Sequence, residues 1–230
     1  MTKVHFSSDS GFAAHPGLAQ RLVGLFNRSA AMGLLRGPSI TRLDPASIRR
    51  LVADLQKHGI ATAAGVGLSP LMRDGQPGWD GAMTRTLEDR LDQVAEALES
   101  SPAPAAEWPA MREVFGEELL ADLLAVSPSS LRRYASGERE APGSIVARLH
   151  WLAMVVSDLA GAYNNFGMLR WFDRPRAQLA GRSPRAVLGH EWDPDGAAAT
   201  RVRALASSLC GAQPLAVLVR HACHDAQSLG

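Results

Sequence analysis

The stretch Ala121-Asp122-Leu123-Leu124-Ala125-Val126-Ser127-Pro128-Ser129-Ser130-Leu131-Arg132-Arg133-Tyr134-Ala135-Ser136-Gly137-Glu138 decides how this chain is read. Two helices that cross at a tight turn need a small residue where they touch, and Ala121 supplies it. They also need a compact turn residue four positions on, which is Ala125, and inward-facing apolar residues at Val126, Leu131 and Tyr134. Between these, Ser127-Pro128 is a helix start, because serine caps and proline fits the first helical position. The spacing predicts a helix-turn-helix unit over residues 119–149, with its second helix ending near Gly137. Ala125 stands where glycine is the usual choice, since left-handed backbone costs alanine more.

Such a second helix lies in the major groove and offers its early side chains to base edges. Arginine pairs bidentately with guanine, and serine reaches bases or phosphates. Ser127, Ser129, Ser130, Arg132 and Arg133 are therefore the candidate DNA-reading residues, with Ser136 and Arg139 placed for phosphate. The competing reading is a structural helix pair with a solvated arginine face. Two observations weigh on that side. The formal net charge of the 230 residues is +1, with none of the basic excess of a protein that coats nucleic acid. Glu113, Glu117, Glu118 and Asp122 lie just upstream and would repel DNA if they shared its face. Binding would have to be local, and a dimer would help it.

Working outward, Ala, Leu and Arg are abundant and lysine is confined to Lys3 and Lys57. These are good helix formers, and few alternating apolar runs read as strands, so the predicted fold is all-α. A helix is expected from Pro16 to about Met32. Asp44-Pro45 reads as a cap and first position before Ile48, Leu51, Val52 and Leu55, with Gly59 as the stop. Residues 60–71 read as a loop leading to a short helix. Leu87, Leu91, Val94 and Leu98 form the stripe of a strong helix for which Thr86 and Asp89 suggest a loose capping box. Residues 101–107 are Pro- and Ala-rich and are expected to be a linker. That divides the chain into a helical region of unassigned role at 1–100, a helix-turn-helix domain at 108–160, whose first helix runs 108–115 to Gly116, and a C-terminal module at 161–230. In the last part, 142–159 reads as a long helix, 163–167 as a turn, and Val202, Leu205 and Leu209 as a closing helix face.

The run Val126-Ser127-x-x-x-Leu131-x-x-Tyr134-x-Ser136-Gly137-Glu138 resembles the helix-turn-helix of Xre-type repressors. Downstream, Trp171, Pro175, Leu179, Gly181, Ser183 and Pro184 reproduce a Trp, then Pro, then Leu-x-Gly-x-Ser-Pro pattern. In that order the two segments resemble the Xre/MbcA/ParS antitoxin family over about residues 110–210. The resemblance implies a homodimer that binds double-stranded operator DNA and neutralises a RES-domain toxin, with those six downstream residues in a partner-binding module. Members of the family are often shorter, and the first hundred residues have no counterpart in the pattern. On the residues alone, Trp171 and Leu179 anchor a bend, Gly181 permits it, and Ser183-Pro184 starts a helix.

Other chemistries find less support. Gly65-Val66-Gly67 has no following Gly-Lys-Ser/Thr, which argues against a phosphate loop. Glu88, Asp89, Asp92, Glu96 and Glu99 read as a solvated helix face. His221-Ala222-Cys223-His224-Asp225 packs four metal-ligand types into five positions, whereas structural zinc draws on separated pairs, and a polar tail is the plainer reading. No catalytic set converges, so neither enzyme activity nor a cofactor or metal is expected. No apolar run approaches the roughly 20 residues that span a bilayer. The first residues lack a signal-peptide pattern, and Cys210 and Cys223 read as free thiols, so a cytoplasmic, non-membrane regulator is the expectation.

Overall fold

The computed structural model describes residues 4–8, 12, 14–35, 40–60, 67–74 and 78–210. The fold is all-α, with one short two-stranded ribbon near the N-terminus. Among the described residues the chain divides into two compact units, one within residues 4–30 and 34–101, the other within 31–33 and 102–210.

In the first unit β1 (Val4–Ser8) and β2 (Ile40–Leu43) pair in parallel. Parallel strands need a crossover, and α1 (Pro16–Ala31) provides it. Leu18, Leu22, Leu25 and Phe26 fall at helical spacing along α1 and are buried. Neither strand stood out in the sequence, because four or five residues are too few to show a period of two.

The start of α2 (Pro45–Lys57) follows the local chemistry. Ser47 N donates to Asp44 Oδ1 at 2.7 Å, and Asp44 N donates back to Ser47 Oγ at 3.1 Å, closing a capping box. The helix buries Ile48, Leu51, Val52 and Leu55. At its end Gly59 takes φ +72°, and Ile60 N reaches back to Leu55 O, an arrangement that favours a residue without Cβ. A 3-10 turn, Ser69–Met72, leads on to α3 (Gly81–Glu99).

The cap of α3 is not the one expected. Asp80 accepts from Met83 N at 2.7 Å, and the helix starts five residues before Thr86. Thr86 instead donates its hydroxyl to Ala82 O at 3.0 Å, a back-bond open to threonine anywhere inside a helix. The stripe Leu87, Leu91, Val94 and Leu98 is buried, and Arg21–Asp92 and Arg28–Glu99, each at 2.9 Å, tie α1 to α3 along its rim.

In the second unit α4 (Pro104–Leu123) begins four residues earlier than expected, so the 101–107 linker is partly helix. Pro104 occupies the first helical position and the following alanines propagate the turn. The expected break at Gly116 is present as a kink with φ 72° and ψ 174°. A short second helix, α5 (Pro128–Ala135), comes next, then α6 (Gly143–Leu159). From Leu149 to Leu159 every residue of α6 is buried, which makes it the centre of the unit, packed against α4 and α9. Within this core Glu107 Oε1 lies 2.6 Å from His150 Nδ1. Leaving either buried polar group without its hydrogen-bond partner costs about 1–3 kcal/mol.

Beyond α6, residues 165–167 are not the expected turn. Asn164 caps α7 (Asn165–Asp173) by accepting from Gly167 N at 2.9 Å, the kind of asparagine cap a loop-rich composition hides. A 3-10 turn (Ala177–Leu179), α8 (Pro184–Leu188) and α9 (Ala197–Cys210) complete the unit. On α9 the buried positions are Ala199, Val202 and Ala206, while Leu205 is only half-buried.

Candidate nucleic-acid interface

The corner between α4 and α5 is built from its backbone upward. Ala125 adopts φ 57°, the left-handed conformation anticipated for the turn. Val126 N then donates to Ala121 O at 2.9 Å and Ala125 N to Asp122 O at 3.0 Å, the paired bonds that close a helix C-terminus. Ala121 is buried. Two further carbonyls at the end of α4 are satisfied from far along the chain. Trp192 Nε1 donates to Leu123 O at 2.7 Å, and Arg148 Nη1 donates to Leu124 O at 3.2 Å. Arg148 also donates through Nε to Trp192 O at 2.7 Å, and the Trp192 ring packs on Trp151 with centroids 4.7 Å apart. Neither Arg148 nor the capping role of Trp192 was evident in the sequence, since both contacts join residues distant along the chain.

Ser127 starts α5 by accepting from Ser130 N at 3.1 Å. Its hydroxyl also lies 2.9 Å from Ser129 Oγ and 3.0 Å from Ser130 Oγ. The three serines therefore form one hydroxyl cluster at the front of the helix, and Ser127 is engaged in holding the helix start. Leu131 and Tyr134 point inward and are buried, with the Tyr134 ring 6.3 Å from that of Trp108. The opposite face carries Arg132 and Arg133, both exposed. Ser136 donates to Arg133 O at 3.2 Å, and the Arg139 guanidinium sits 5.6 Å over the Tyr134 ring.

Of the acidic neighbours upstream, Glu117 is on this face too. Glu117 Oε2 lies 3.2 Å from Arg132 Nη1, and its other oxygen pairs with Arg112. Hydrogen bonds from Arg132 and then Arg112 hold the Glu117 carboxyl below the ordinary glutamate range. Glu138 Oε1 is 3.2 Å from Arg133 Nε. Asp122 is turned to another task, bonded at 2.7 Å to Arg185 Nε, and with Asp173 it raises that guanidinium above its usual value.

The downstream residues separate by exposure. Trp171, Leu179 and Pro184 are buried and build the module. Ser183 caps α8, accepting from Ala186 N at 3.2 Å. Ala180 and Gly181, at φ 56° and 75°, form the bend, and an antiparallel bridge joins Arg176 to Arg182 across it. Of the six residues, Pro175 and Gly181 are exposed. The 221–225 His/Cys/Asp cluster and Cys223 lie outside the described residues. Among the described residues no helix is long and apolar enough to cross a membrane.

Comparison of the chain with protein-family models, with curated proteins and with solved structures finds no match.

Proposed function

We propose that this chain is a DNA-binding transcriptional regulator of the antitoxin type, binding operator DNA as a dimer and holding a partner toxin through its C-terminal module. The observation that carries this reading is the α4–α5 corner. A left-handed turn, a small crossing residue and a serine cap present Arg132 and Arg133 outward from a short helix whose other face is anchored in the core. A dimer of such corners reads half-sites about one helical turn, roughly 34 Å, apart. The partner reading rests on the Trp171 to Pro184 pattern alone, with a RES-domain protein as the expected toxin. A cytoplasmic setting belongs to the same proposal.

The test is a gel-shift on the duplex upstream of the chain's own coding sequence, run across a salt series. Retention that weakens as salt rises is expected, because phosphate contacts release counterions. Arg132→Ala with Arg133→Ala should abolish sequence preference, at about 1–3 kcal/mol per lost guanine contact. Unchanged binding by that double variant overturns the assignment of α5. Co-purification with the product of the neighbouring gene tests the second task.

A protein-interaction module that does not bind DNA is the alternative, favoured by the carboxylates already seated on both arginines. Under it, no salt-dependent retention occurs on any duplex.

A further inference from the structure

The two arginines that lead the exposed face of α5 are each held by a carboxylate of this same chain. Arg132 and Arg133 have side chains 58% and 53% exposed, so an approaching duplex meets the pairs themselves. Glu117 stands just after the Gly116 kink, where the second stretch of α4 begins, and reaches across to α5 from a different helix. Glu138 closes on Arg133 from just beyond the end of α5.

We propose that Glu117 and Glu138 are specificity gates on α5, holding Arg132 and Arg133 away from indiscriminate phosphate contact and yielding them to a guanine edge. The inference rests on the DNA-binding function proposed for this chain. Its logic is an exchange of partners. A phosphate offers a guanidinium one anion in place of another, and the displaced carboxylate is left beside a polyanion, so the exchange gains little. A guanine edge offers two directed bonds through O6 and N7, favouring the right base by about tenfold to a hundredfold. An exposed ion pair opposes exchange with a phosphate by no more than about fivefold. A guanidinium has five N–H donors, and the carboxylates engage Arg132 through Nη1 and Arg133 through Nε, so two other donors can meet a guanine edge with the pair largely kept. The gate thus bears on phosphate contact and leaves guanine contact almost free.

The experiment uses the full chain and two probes. One is a short random-sequence duplex, and the other is the duplex population enriched from it by the wild-type chain. Affinities of wild type, Glu117→Gln, Glu138→Gln and the double variant are compared by fluorescence anisotropy, with thermal melts confirming that each is folded. Random-duplex affinity is expected to rise about three- to fivefold in the double variant, with a change of less than about twofold on the enriched duplex. The specificity ratio therefore falls.

Glu118→Gln is the control for simple loss of charge. It removes one negative charge from the position next to Glu117, where an exposed side chain makes no ion pair with α5. It should leave the ratio unchanged. In an Arg132→Ala background, Glu117→Gln should have no further effect. Equal affinities for wild type and the double variant, or an equal rise from Glu118→Gln, overturn the gate while DNA binding stands. If none of the forms retains either duplex, the DNA-binding reading falls and the gate falls with it.

Discussion

The chain starts a helix twice with the same local device, and the two helices end up in different roles. Ser127-Pro128 opens α5 and Ser183-Pro184 opens α8. Each serine accepts from the backbone N–H three residues on, and each start comes after an alanine in left-handed conformation, Ala125 or Ala180. Each helix carries arginine, Arg132 and Arg133 in the last turn of α5 and Arg185 at the second position of α8. Yet Pro128 is exposed and Pro184 is buried, and α5 runs eight residues where α8 runs five. The apolar residues behind the cap make the difference. In α5 the positions Leu131 and Tyr134 are three apart, which anchors one edge and leaves the arginines outside. In α8 the adjacent pair Val187 and Leu188 is buried along with Pro184, and the exposed Arg185 is turned on Asp122 and Asp173. A cap sets where a helix begins, and the apolar spacing behind it sets which face is left for other work.

The comparison breaks most visibly at Trp192, which comes after α8 yet closes the carbonyl end of α4. Trp192→Ala should cost about 3–5 kcal/mol in urea denaturation, through lost packing and an uncapped Leu123 carbonyl. A loss under about 1 kcal/mol would mean that the corner stands without it. Next come the two anchors. Leu131→Ala should cost about 2–5 kcal/mol. Val187→Ala, a smaller and less completely buried side chain, should cost about 1.5–3 kcal/mol.

The caps themselves should be equal. Ser127→Ala and Ser183→Ala are each expected to lose about 1 kcal/mol in thermal melts, and a marked inequality would show that the hydroxyl cluster of Ser127, Ser129 and Ser130 adds something to the first. Ala125→Gly should raise stability by about 0.5 kcal/mol, since relief of the left-handed alanine, about 1–2 kcal/mol, exceeds the added chain entropy.

Smallest is the pH effect at Glu117. Its folded-state value lies below the ordinary 4.5, so its contribution is complete above that value and is lost as pH falls through the lowered one. The stability difference between wild type and Glu117→Gln should therefore be flat above about pH 5 and shrink below it, read by melts across an acid series.

Both serine starts, the Asp44-Pro45 cap, the Gly116 break and the left-handed Ala125 were legible in the sequence, because each is settled by residues within one or two turns. So was the all-α fold, from helix-forming composition and stripes such as Leu87, Leu91, Val94 and Leu98. The choice of Asp80 over Thr86 was not, since either residue can cap and the helix takes whichever lies upstream of its first formed turn. The ribbon of β1 and β2 escaped notice because strand pairing joins segments about thirty residues apart and each is very short. At the candidate site, the identity of the exposed arginines was readable from spacing, while their state was not. That Glu117 seats Arg132, and that Arg148 and Trp192 hold the turn from behind, depends on contacts between helices that no local pattern encodes.

Those last two residues have a consequence for how the molecule comes apart. Arg148 and Trp192 bond to each other as well as to the last carbonyls of α4, so the corner is buttoned shut by a loop beyond α8. A fragment ended near residue 160 keeps the corner's own sequence and Arg148 but loses Trp192 and its bond to Leu123 O. Cutting the chain between its two proposed tasks would not yield two independent tools, because the piece meant to read DNA borrows its rigidity from the piece meant to grip a partner.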